Sequence, residues 1–574
     1  MSTNWFYSLP EDRGVRPLGE LACRTRRCAE RLLLDDIYRP EWITSDITFA
    51  YDPTPFHDWY TGHEWTWYAD VSGRYLNAWA SLAANSGELP LKARQVLETV
   101  LVSQAEDGHF GPPIPVGACD RSQASGTAWM MLALPRLYAL TGEARVLRAA
   151  QRLAEWYLKV IPDWVRPEEI ARQTSLGSYA LIFSNFTHCL DGLAALQAVA
   201  PDPRLEQGAL TIAAAVKGFD SEIHSHHFLS TVRGLLDWYE LTGQAWLLEK
   251  AKRECDRIFT DGMLDTWGVP ESFATPQTDE GCSEVDWVLV NLRLYQATGE
   301  RRWLDTAERA IYGQFYMNQA PNGGFGAWHG FLAPVGARKA GSVGRYIEAF
   351  WCCSMHGAFG LSEIARHAFG RVADGVRVNL IIGAEAEFRQ AGGVLRLRQT
   401  ADGYPFPGET QIEISLPDAT PQVLHVALPS HSPLRAAEWD GRALPLPGAG
   451  NELTVTVQGA GEHRLALRFA LALRAEPARR QDLFPGKHSL WYGPMPLGTN
   501  ALLERVAYDL TPTTLSAATV RLAAGSNALN SELELALPAT DAADWQHLRC
   551  RDQLVLYPLA GRTFRGVTHL TYLF

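Results

Sequence analysis

Residues 141–150, Thr-Gly-Glu-Ala-Arg-Val-Leu-Arg-Ala-Ala, place a tight turn immediately before an apolar helical face. The same arrangement recurs at 242–251 and 298–307, with leucine six and alanine nine residues after each threonine. A glycine at such a turn ends one helix in the left-handed conformation, and the apolar spacing begins the next helix. The repeat therefore predicts successive helical hairpins.

Weaker turns lie at Ser86-Gly87 and Pro201-Asp202, so that the turns recur at intervals of 41 to 60 residues. This interval fits two helices and their connections. Six such hairpins need about 300–350 residues, which predicts that they occupy residues 1–372. They could form an open solenoid or a closed ring of inner and outer helices. The aromatic loop at 56–67 favours the ring, the alternative being that its aromatic side chains pack between hairpins.

The hydrophobic pattern changes near Arg371 from a helical period to the alternation typical of β-strands. Turn pairs such as Asp402-Gly403 and Asp440-Gly441 separate the alternating segments. A stretch rich in proline and arginine at 477–485 divides this tail. The alternating segments are residues 376–382, 394–398, 410–414 and 453–457. We therefore predict one or two antiparallel β-sandwich domains after the helices.

The whole chain is thus predicted to be a multidomain α and β protein. We expect a helical domain at 1–372, a first β-sandwich at 373–480 and a second β-sandwich region at 481–574. A length of 574 residues and a hydrophobic content of 47% are compatible with several folded units.

Composition excludes some functions. The net charge of −12 argues against nucleic-acid binding, because an acidic surface releases no counterions from a phosphate backbone. No apolar window of about 18 residues occurs, so we expect no membrane span. The N-terminal residues lack the basic and apolar regions of an export signal, which predicts a cytoplasmic protein. Nine cysteines are too few for a disulfide scaffold in a chain of this length.

A first candidate site combines Glu280 and Cys282 with the adjacent Cys352 and Cys353, about seventy residues later. Three thiolates and one carboxylate suffice for a tetrahedral zinc site, because zinc accepts mixed sulfur and oxygen ligands. The chain lacks the paired Cys-x-x-Cys pattern of many structural zinc sites, and adjacent cysteines are often inert core residues. The spacing alone leaves a zinc site and buried free thiols as alternatives.

A second candidate is Glu271, which follows a proline and lies between Trp267 and Phe273. Apolar surroundings raise a carboxyl pKa, so this residue could hold the proton that a general acid donates. The alternative is a solvated loop glutamate.

Histidines are a third group of candidates. They precede predicted helices or follow the cysteine pair. A histidine at such a position more often caps a helix or packs against its neighbours than takes part in catalysis. They are His188, His224, His226, His227 and His356.

The order of these motifs resembles that of glycoside hydrolase family 127, the β-L-arabinofuranosidases. The resemblance runs from His224 through Glu271-Ser272-Phe273 and Glu280-Gly281-Cys282 to Cys352-Cys353. The Asp-Gly-Tyr-Pro-Phe-Pro-Gly stretch within 399–408 is similar to a Thr/Asp-Tyr-Pro-Trp-x-Gly stretch in the first β-sandwich of that family. The similarity covers most of the chain and is specific at the acid and cysteine motifs.

The resemblance implies an (α/α)6 barrel followed by β-sandwiches, and a retaining exo-glycoside hydrolase that releases a pentofuranose such as β-L-arabinofuranose. It implies Zn2+ as cofactor and a small-molecule or oligosaccharide glycoside as substrate; we leave a homodimer open. The implied roles are Cys352 as nucleophile, Glu271 as general acid/base, Glu280, Cys282, Cys352 and Cys353 as zinc ligands, and His188, His224 and Asp70 as substrate-binding residues.

The chain departs from the family pattern in three places. Ser354-Met355-His356 replaces the usual Pro-Pro-Asn after the cysteine pair, the interval from Glu271 to Glu280 is short, and Trp129 or Thr127 stands where a histidine is common. These departures put the identity of the sugar in doubt. Two other functions stay open: a sugar epimerase or lyase on the same barrel that uses histidines, and a non-catalytic carbohydrate-binding protein with a structural zinc.

Overall fold

The computed structural model describes residues 5–48, 68–84, 87–111, 113, 121–175, 187–216, 218–219, 224–273, 278–329, 345–448, 451–481, 485–498, 519–523, 532–536 and 554–558. The aromatic loop at 56–67 and most of the predicted second β-sandwich region lie outside these residues. Within them, the protein is a mixed α and β structure of helices and mainly antiparallel sheets. No helix in the described ranges has the length and hydrophobicity to cross a membrane.

Helices form most of the first part of the chain. Among the described residues, twelve helices have ten residues or more: α1 Gly19–Leu33, α2 Asp70–Leu82, α3 Leu91–Ser103, α4 Arg121–Thr141, α5 Ala144–Trp164, α6 Leu190–Val199, α7 Pro203–Ala215, α8 Ser225–Thr242, α9 Ala245–Asp261, α10 Gly281–Thr298, α11 Arg301–Ala310 and α12 Cys353–His367. Shorter helical segments are Asp12–Gly14, Pro40–Ile43, Ser45–Thr48, Pro167–Ser175, Ile311–Phe315 and Tyr316–Asn318.

The repeated turns have the geometry that their sequence predicts. Gly243 and Gly299 end α8 and α10 with φ values of 69° and 70°, and Gly142 has φ of 70° after α4. Each glycine occupies the left-handed region that residues with a Cβ atom rarely adopt. The prediction of a glycine-capped helix followed by a second helix is therefore confirmed at all three places.

Alternate helices contact one another in a closed circle. In the described part, α2 contacts α4, and contacts continue through α6, α8, α10 and α12 back to α2. The other helices lie outside, where α3, α5, α7, α9 and α11 each contact the inner helix that precedes them, and α1 contacts α12. Because inner and outer helices alternate along the chain, the inner helices run in the same direction and their N-terminal ends meet at one end of the circle.

Burial distinguishes the two sets of helices. Every residue of α10 from Gly281 to Ala297 is buried, as expected for a helix enclosed on all sides. In the outer helix α5 the buried residues follow a helical spacing on one face, from Val146 through Ala149, Ala150 and Leu153.

The strands lie mainly in the second part. They are β1 Val15–Pro17, β2 Thr278–Glu280, β3 Gly326–His329, β4 Arg345–Glu348, β5 Phe369–Val372, β6 Gly375–Val378, β7 Ala384–Gln390, β8 Gly393–Gly403, β9 Glu409–Leu416, β10 Gln422–Ala427, β11 Leu434–Trp439, β12 Arg442–Ala443, β13 Glu452–Val457, β14 Gly461–Phe469, β15 Leu473–Pro477, β16 His488–Tyr492, β17 Met495–Gly498, β18 Thr519–Ala523, β19 Glu532–Ala536 and β20 Leu554–Pro558.

The strands form sheets ordered β1-β7-β8-β9-β14-β11-β12, β13-β10-β6-β5, β15-β16-β17-β20-β19-β18 and β2-β3-β4. Alternate residues are buried, as predicted from the period of two: Leu395 and Leu397 in β8, and Ile412 and Ile414 in β9. The sequence pattern did not indicate β1, which pairs with β7 and joins the N-terminal segment to the C-terminal sheets. Only β6 and β10 pair in parallel within the described residues.

The sheets dock on the helices through buried polar contacts. The hydroxyl of Tyr404, from the stretch that resembles the family motif, donates to Glu308 Oε1 at 2.8 Å. Arg377 of β6 donates to the hydroxyl of Tyr295 in α10 at 2.7 Å. The family-like motif after β8 therefore joins the sheets to the helices and lies in the docking interface.

The close approach of inner helices gives the first testable prediction. A Cβ atom at Gly192 of α6 would lie 2.7 Å from the backbone nitrogen of Leu132 in α4. We expect Gly192→Ala to destabilise the protein by about 1–3 kcal/mol, because backbone atoms cannot move aside. Thermal unfolding followed by helical circular dichroism measures the effect. Gly448→Ala is the control, because a Cβ atom there meets nothing within 4 Å; equal midpoints for both variants would contradict this account.

Candidate active site

The predicted metal ligands meet where two inner helices begin. Glu280 ends β2 and immediately precedes α10, and Cys282 is in the first turn of that helix. Cys352 immediately precedes α12, and Cys353 is its first residue. The positive end of a helix dipole stabilises nearby negative charge, so both helix starts favour an acidic cluster. All four residues are buried.

The ligand atoms of these four residues lie within 4.8 Å of one another. Cys353 Sγ lies 3.4 Å from Cys282 Sγ, 3.5 Å from Cys352 Sγ and 3.8 Å from Glu280 Oε1. These separations exceed a disulfide bond of about 2.05 Å. In a tetrahedral site with Zn–S bonds of about 2.3 Å, two sulfurs lie about 3.8 Å apart. The donor set and its spacing therefore fit a tetrahedral metal ion.

Burial and mutual repulsion raise the free-energy cost of holding four negative charges in this cluster. Burial, and then the charge of Cys352, raises the pKa of Glu280 to about 8. Burial also raises the pKa of the Cys282 and Cys353 thiols, whereas hydrogen bonds from these two residues lower the pKa of Cys352. A divalent cation would replace the protons that the cluster otherwise holds. The group could accordingly bind a metal.

Glu280 is oriented by its neighbours. Ser283 Oγ donates to Glu280 Oε2 at 2.8 Å, and His224 Nε2 lies 3.5 Å from the same oxygen. The other carboxylate oxygen, Oε1, is the one near Cys353. Ser225 Oγ donates in turn to Ser283 Oγ at 2.7 Å, which links the start of α8 to the start of α10.

Glu271 lies beside this cluster and is held by its backbone. Its N–H donates to the carbonyl of Thr278 at 2.8 Å, and its carbonyl accepts from the N–H of Ser225 at 3.0 Å. Burial, reinforced by the charge of Glu280, raises the pKa of Glu271 to about 7, against the opposing effect of His224. The side chain is partly buried rather than the fully solvated loop carboxylate considered as the alternative. A carboxyl group in this position can both donate and accept a proton near neutral pH.

Three histidines form a row next to the cluster. The ring of His227 lies 5.2 Å from that of His188 and 5.1 Å from that of His224, measured between centroids. Ser125 Oγ lies 3.2 Å from His188 Nε2, and burial lowers the pKa of His188 to about 3. His224 Nδ1 is buried and has no hydrogen-bond partner among the described residues. The structure therefore places His224 against Glu280 and His188 at the far end of this row.

Asp70 lies at the first position of α2, where it accepts from Arg74 Nε at 3.1 Å. Arg74 was not indicated by the motifs, and neither was Asp286 of α10. Each lies four residues after a candidate residue, Arg74 after Asp70 and Asp286 after Cys282, so each shares a helix face with it. This spacing is the signal that could have found them.

A second buried group of possible metal ligands consists of His226, Asp286 and His356. Asp286 Oδ2 lies 2.6 Å from His226 Nδ1, and Asp286 Oδ1 lies 3.0 Å from His356 Nε2. Arg233 also donates to Asp286, and Arg74 Nη1 contacts His226 Nε2 at 3.0 Å. Because two guanidinium groups occupy these atoms, the group is a hydrogen-bonded network rather than a cation site.

A profile described as β-L-arabinofuranosidase, GH127 catalytic domain, matches residues 45–366. The chain belongs to this family. Membership in GH127 makes the protein a glycoside hydrolase and sets aside the epimerase, lyase and non-catalytic alternatives. No curated protein matches the chain significantly.

Solved structures of glycoside hydrolases, two of them described as GH127 enzymes, have the same fold. A GH127 β-L-arabinofuranosidase from Geobacillus stearothermophilus T6 has a TM-score of 0.75 and 14% identity, over 98% of this chain and 99% of that chain. The GH127 β-arabinofuranosidase BT3674 has a TM-score of 0.75 and 13% identity, over 100% and 98% of the two chains. A structure described as a glycoside hydrolase has a TM-score of 0.73 and 14% identity, over 99% and 97%.

The four-donor cluster predicts metal binding. We expect the purified GH127 protein to hold about one thiophilic divalent ion per chain, measured by elemental analysis after dialysis. Cys353→Ser should reduce this content to near zero, because Cys353 lies within contact distance of all three other donors. Cys23→Ser, which changes a partly buried thiol of α1, should retain it. Equal metal content in the two variants would contradict the assignment.

Proposed function

We propose that the protein is a retaining exo-glycoside hydrolase that releases a pentofuranose of β-L-arabinofuranose type, with Cys352 as nucleophile and Glu271 as general acid/base. The observation that carries this proposal is the convergence of Cys352 with three other metal-ligand side chains beside Glu271. Membership in a family of β-L-arabinofuranosidases supports the substrate class.

We propose Zn2+ as the ion held by Glu280, Cys282, Cys352 and Cys353. Three sulfur donors favour zinc over magnesium and calcium, which prefer oxygen ligands. When bound, zinc keeps its cysteine ligands deprotonated at neutral pH, while its anionic ligands leave electron density on sulfur.

The protein's own side chains would carry the two displacements. Cys352 Sγ attacks the anomeric carbon, and the bond from that carbon to the leaving oxygen breaks while Glu271 donates a proton to the oxygen. Glu271, now a carboxylate, removes a proton from a water molecule. The water oxygen attacks the same carbon, the carbon–sulfur bond breaks, and the sugar leaves with its original anomeric configuration.

Sugar recognition is proposed for His188, His224 and Asp70. Nδ1 of His224 has no hydrogen-bond partner within the described ranges, and neutral imidazole groups can donate to or accept from sugar hydroxyls. Asp70 already accepts from Arg74 through Oδ1, so it would reach a sugar through its other oxygen.

We also propose the finer details of the domain architecture. The circle of helix pairs supports an (α/α)6 barrel at 1–372, and the one-sided burial of strands supports a β-sandwich at 373–480. A second β-sandwich region at 481–574, a cytoplasmic location and a homodimer remain predictions.

The role of Glu271 predicts a dependence on the leaving group. We expect Glu271→Ala to lower kcat/KM for an alkyl β-L-arabinofuranoside by about 10²- to 10⁴-fold, because proton donation to a poor leaving group is lost. With a nitrophenyl glycoside, the rate of the first displacement should fall less. Added azide should restore turnover, with a glycosyl azide as the product. Glu249→Gln, on the exposed face of α9, is the control. Equal losses for both substrates without azide rescue would refute this role.

The role of Cys352 predicts a covalent adduct. Reaction of Glu271→Gln with a dinitrophenyl β-L-arabinofuranoside should add one anhydropentosyl unit to the intact protein, because formation of the adduct outpaces its hydrolysis. Peptide mass spectrometry should locate the sugar on Cys352. A sugar found on Cys282 or on a carboxylate would identify a different nucleophile.

A further inference from the structure

Arg74 is a buried arginine on α2 that touches the acidic cluster. Its Nη1 atom donates to Cys282 Sγ at 3.8 Å and to His226 Nε2 at 3.0 Å, and its Nε atom donates to Asp70 Oδ1 at 3.1 Å. Its guanidinium carbon lies 4.0 Å from the centroid of the Trp129 ring. The side chain is 4% exposed. The guanidinium group is therefore held on several sides, and one of its contacts is a proposed metal ligand.

The donor character of arginine fixes the protons of the neighbouring residues. A guanidinium group has only donors, so His226 Nε2 must accept and the proton of this ring lies on Nδ1. That proton is donated to Asp286 Oδ2 at 2.6 Å. Although burial opposes it, contacts with His356, Arg233 and His226 hold the pKa of Asp286 well below its usual range. A charged Asp286 thus orients His226, and His226 orients Arg74.

Trp129 and His356, two of the departures from the family pattern, belong to this arrangement. The ring of Trp129 stacks on that of His226 at 5.2 Å with an angle of 6°, while its face also covers Arg74. His356 contacts the Oδ1 atom of Asp286. Trp129 therefore covers the guanidinium group, and His356 anchors Asp286, in a buried region of low dielectric where charge interactions are strong.

Arg74 can offset part of the negative charge of the cluster. One carboxylate and three thiolates carry four negative charges, and a divalent ion cancels two of them. Arg74 adds a positive charge in direct contact with Cys282. A hydrogen bond from a cation also withdraws electron density from a sulfur ligand.

We propose that Arg74 is a positioning residue that acts through Cys282, compensating the excess negative charge of the metal cluster and raising its affinity for a divalent ion. The inference rests on the proposed metal site. Asp70, His226 and Asp286 hold the guanidinium group in position, and Trp129 covers it.

The test is the equilibrium affinity for zinc, measured by competition with a chromogenic chelator. Arg74→Met should bind zinc about 10- to 100-fold more weakly than the unaltered protein. Arg74→Lys, which keeps the charge, should lose less affinity than Arg74→Met. Arg136→Met is the matched control, because this arginine of the inner helix α4 pairs with Glu363 and, among the described residues, does not contact the cluster. Its affinity should be unchanged.

A spectroscopic measurement separates this role from a purely structural one. In the cobalt-substituted protein, the thiolate-to-cobalt charge-transfer band should move to longer wavelength in Arg74→Met, because Cys282 loses a hydrogen bond from a cation. Arg136→Met should leave the band in place.

The outcomes are distinct for the two proposals. Unchanged affinity and an unchanged band in Arg74→Met, with metal still bound by the unaltered protein, would overturn the role of Arg74 and leave the proposed function standing. Equal losses in the lysine and methionine variants would overturn charge compensation. Failure of the unaltered protein to bind zinc would overturn the proposed function itself.

Discussion

Four acidic side chains buried within one small volume are the constraint on which the site depends. Glu280, Cys282, Cys352 and Cys353 lie at helix starts, where the dipoles of α10 and α12 reduce the cost of negative charge. Dipoles alone do not compensate four buried charges, so the cluster either holds protons or binds a cation. The spacing of its ligand atoms fits a metal ion, and an arginine lies beside one of the thiols.

The direction of the inner helices explains how distant residues meet. Because each inner helix is followed by an outer helix that returns, every inner helix begins at the same end of the circle. Asp70, His188, His224 and Cys282 lie near the starts of four different helices. The small sheet β2-β3-β4 adds Glu280 and leads the chain toward Cys352. A glycoside hydrolase of the GH127 family thus assembles its candidate site from segments that are far apart in sequence.

The prediction from sequence was most successful where a local pattern carried the information. The Thr-Gly turns, the alternation in β8 and β9, and the Glu-x-Cys and Cys-Cys motifs each depend on residues a few positions apart. The sequence did not reveal the strand Val15–Pro17, whose pairing with β7 joins segments far apart in the chain. It also did not reveal Arg74 or Asp286, because a single arginine or aspartate in a helix is ordinary until its partner from another helix is known.

The sequence by itself determined the helical hairpins, the change to strands and the types of side chain available for chemistry, because backbone conformation and residue chemistry are local properties. Only the tertiary structure decided which of those side chains share a site. Packing between the helices set Arg74 of α2 against Cys282 of α10, and it placed His226 and His356 against the two carboxylate oxygens of Asp286. Electrostatic coupling depends on distance through space, and that distance is set by packing between helices that the sequence order does not reveal.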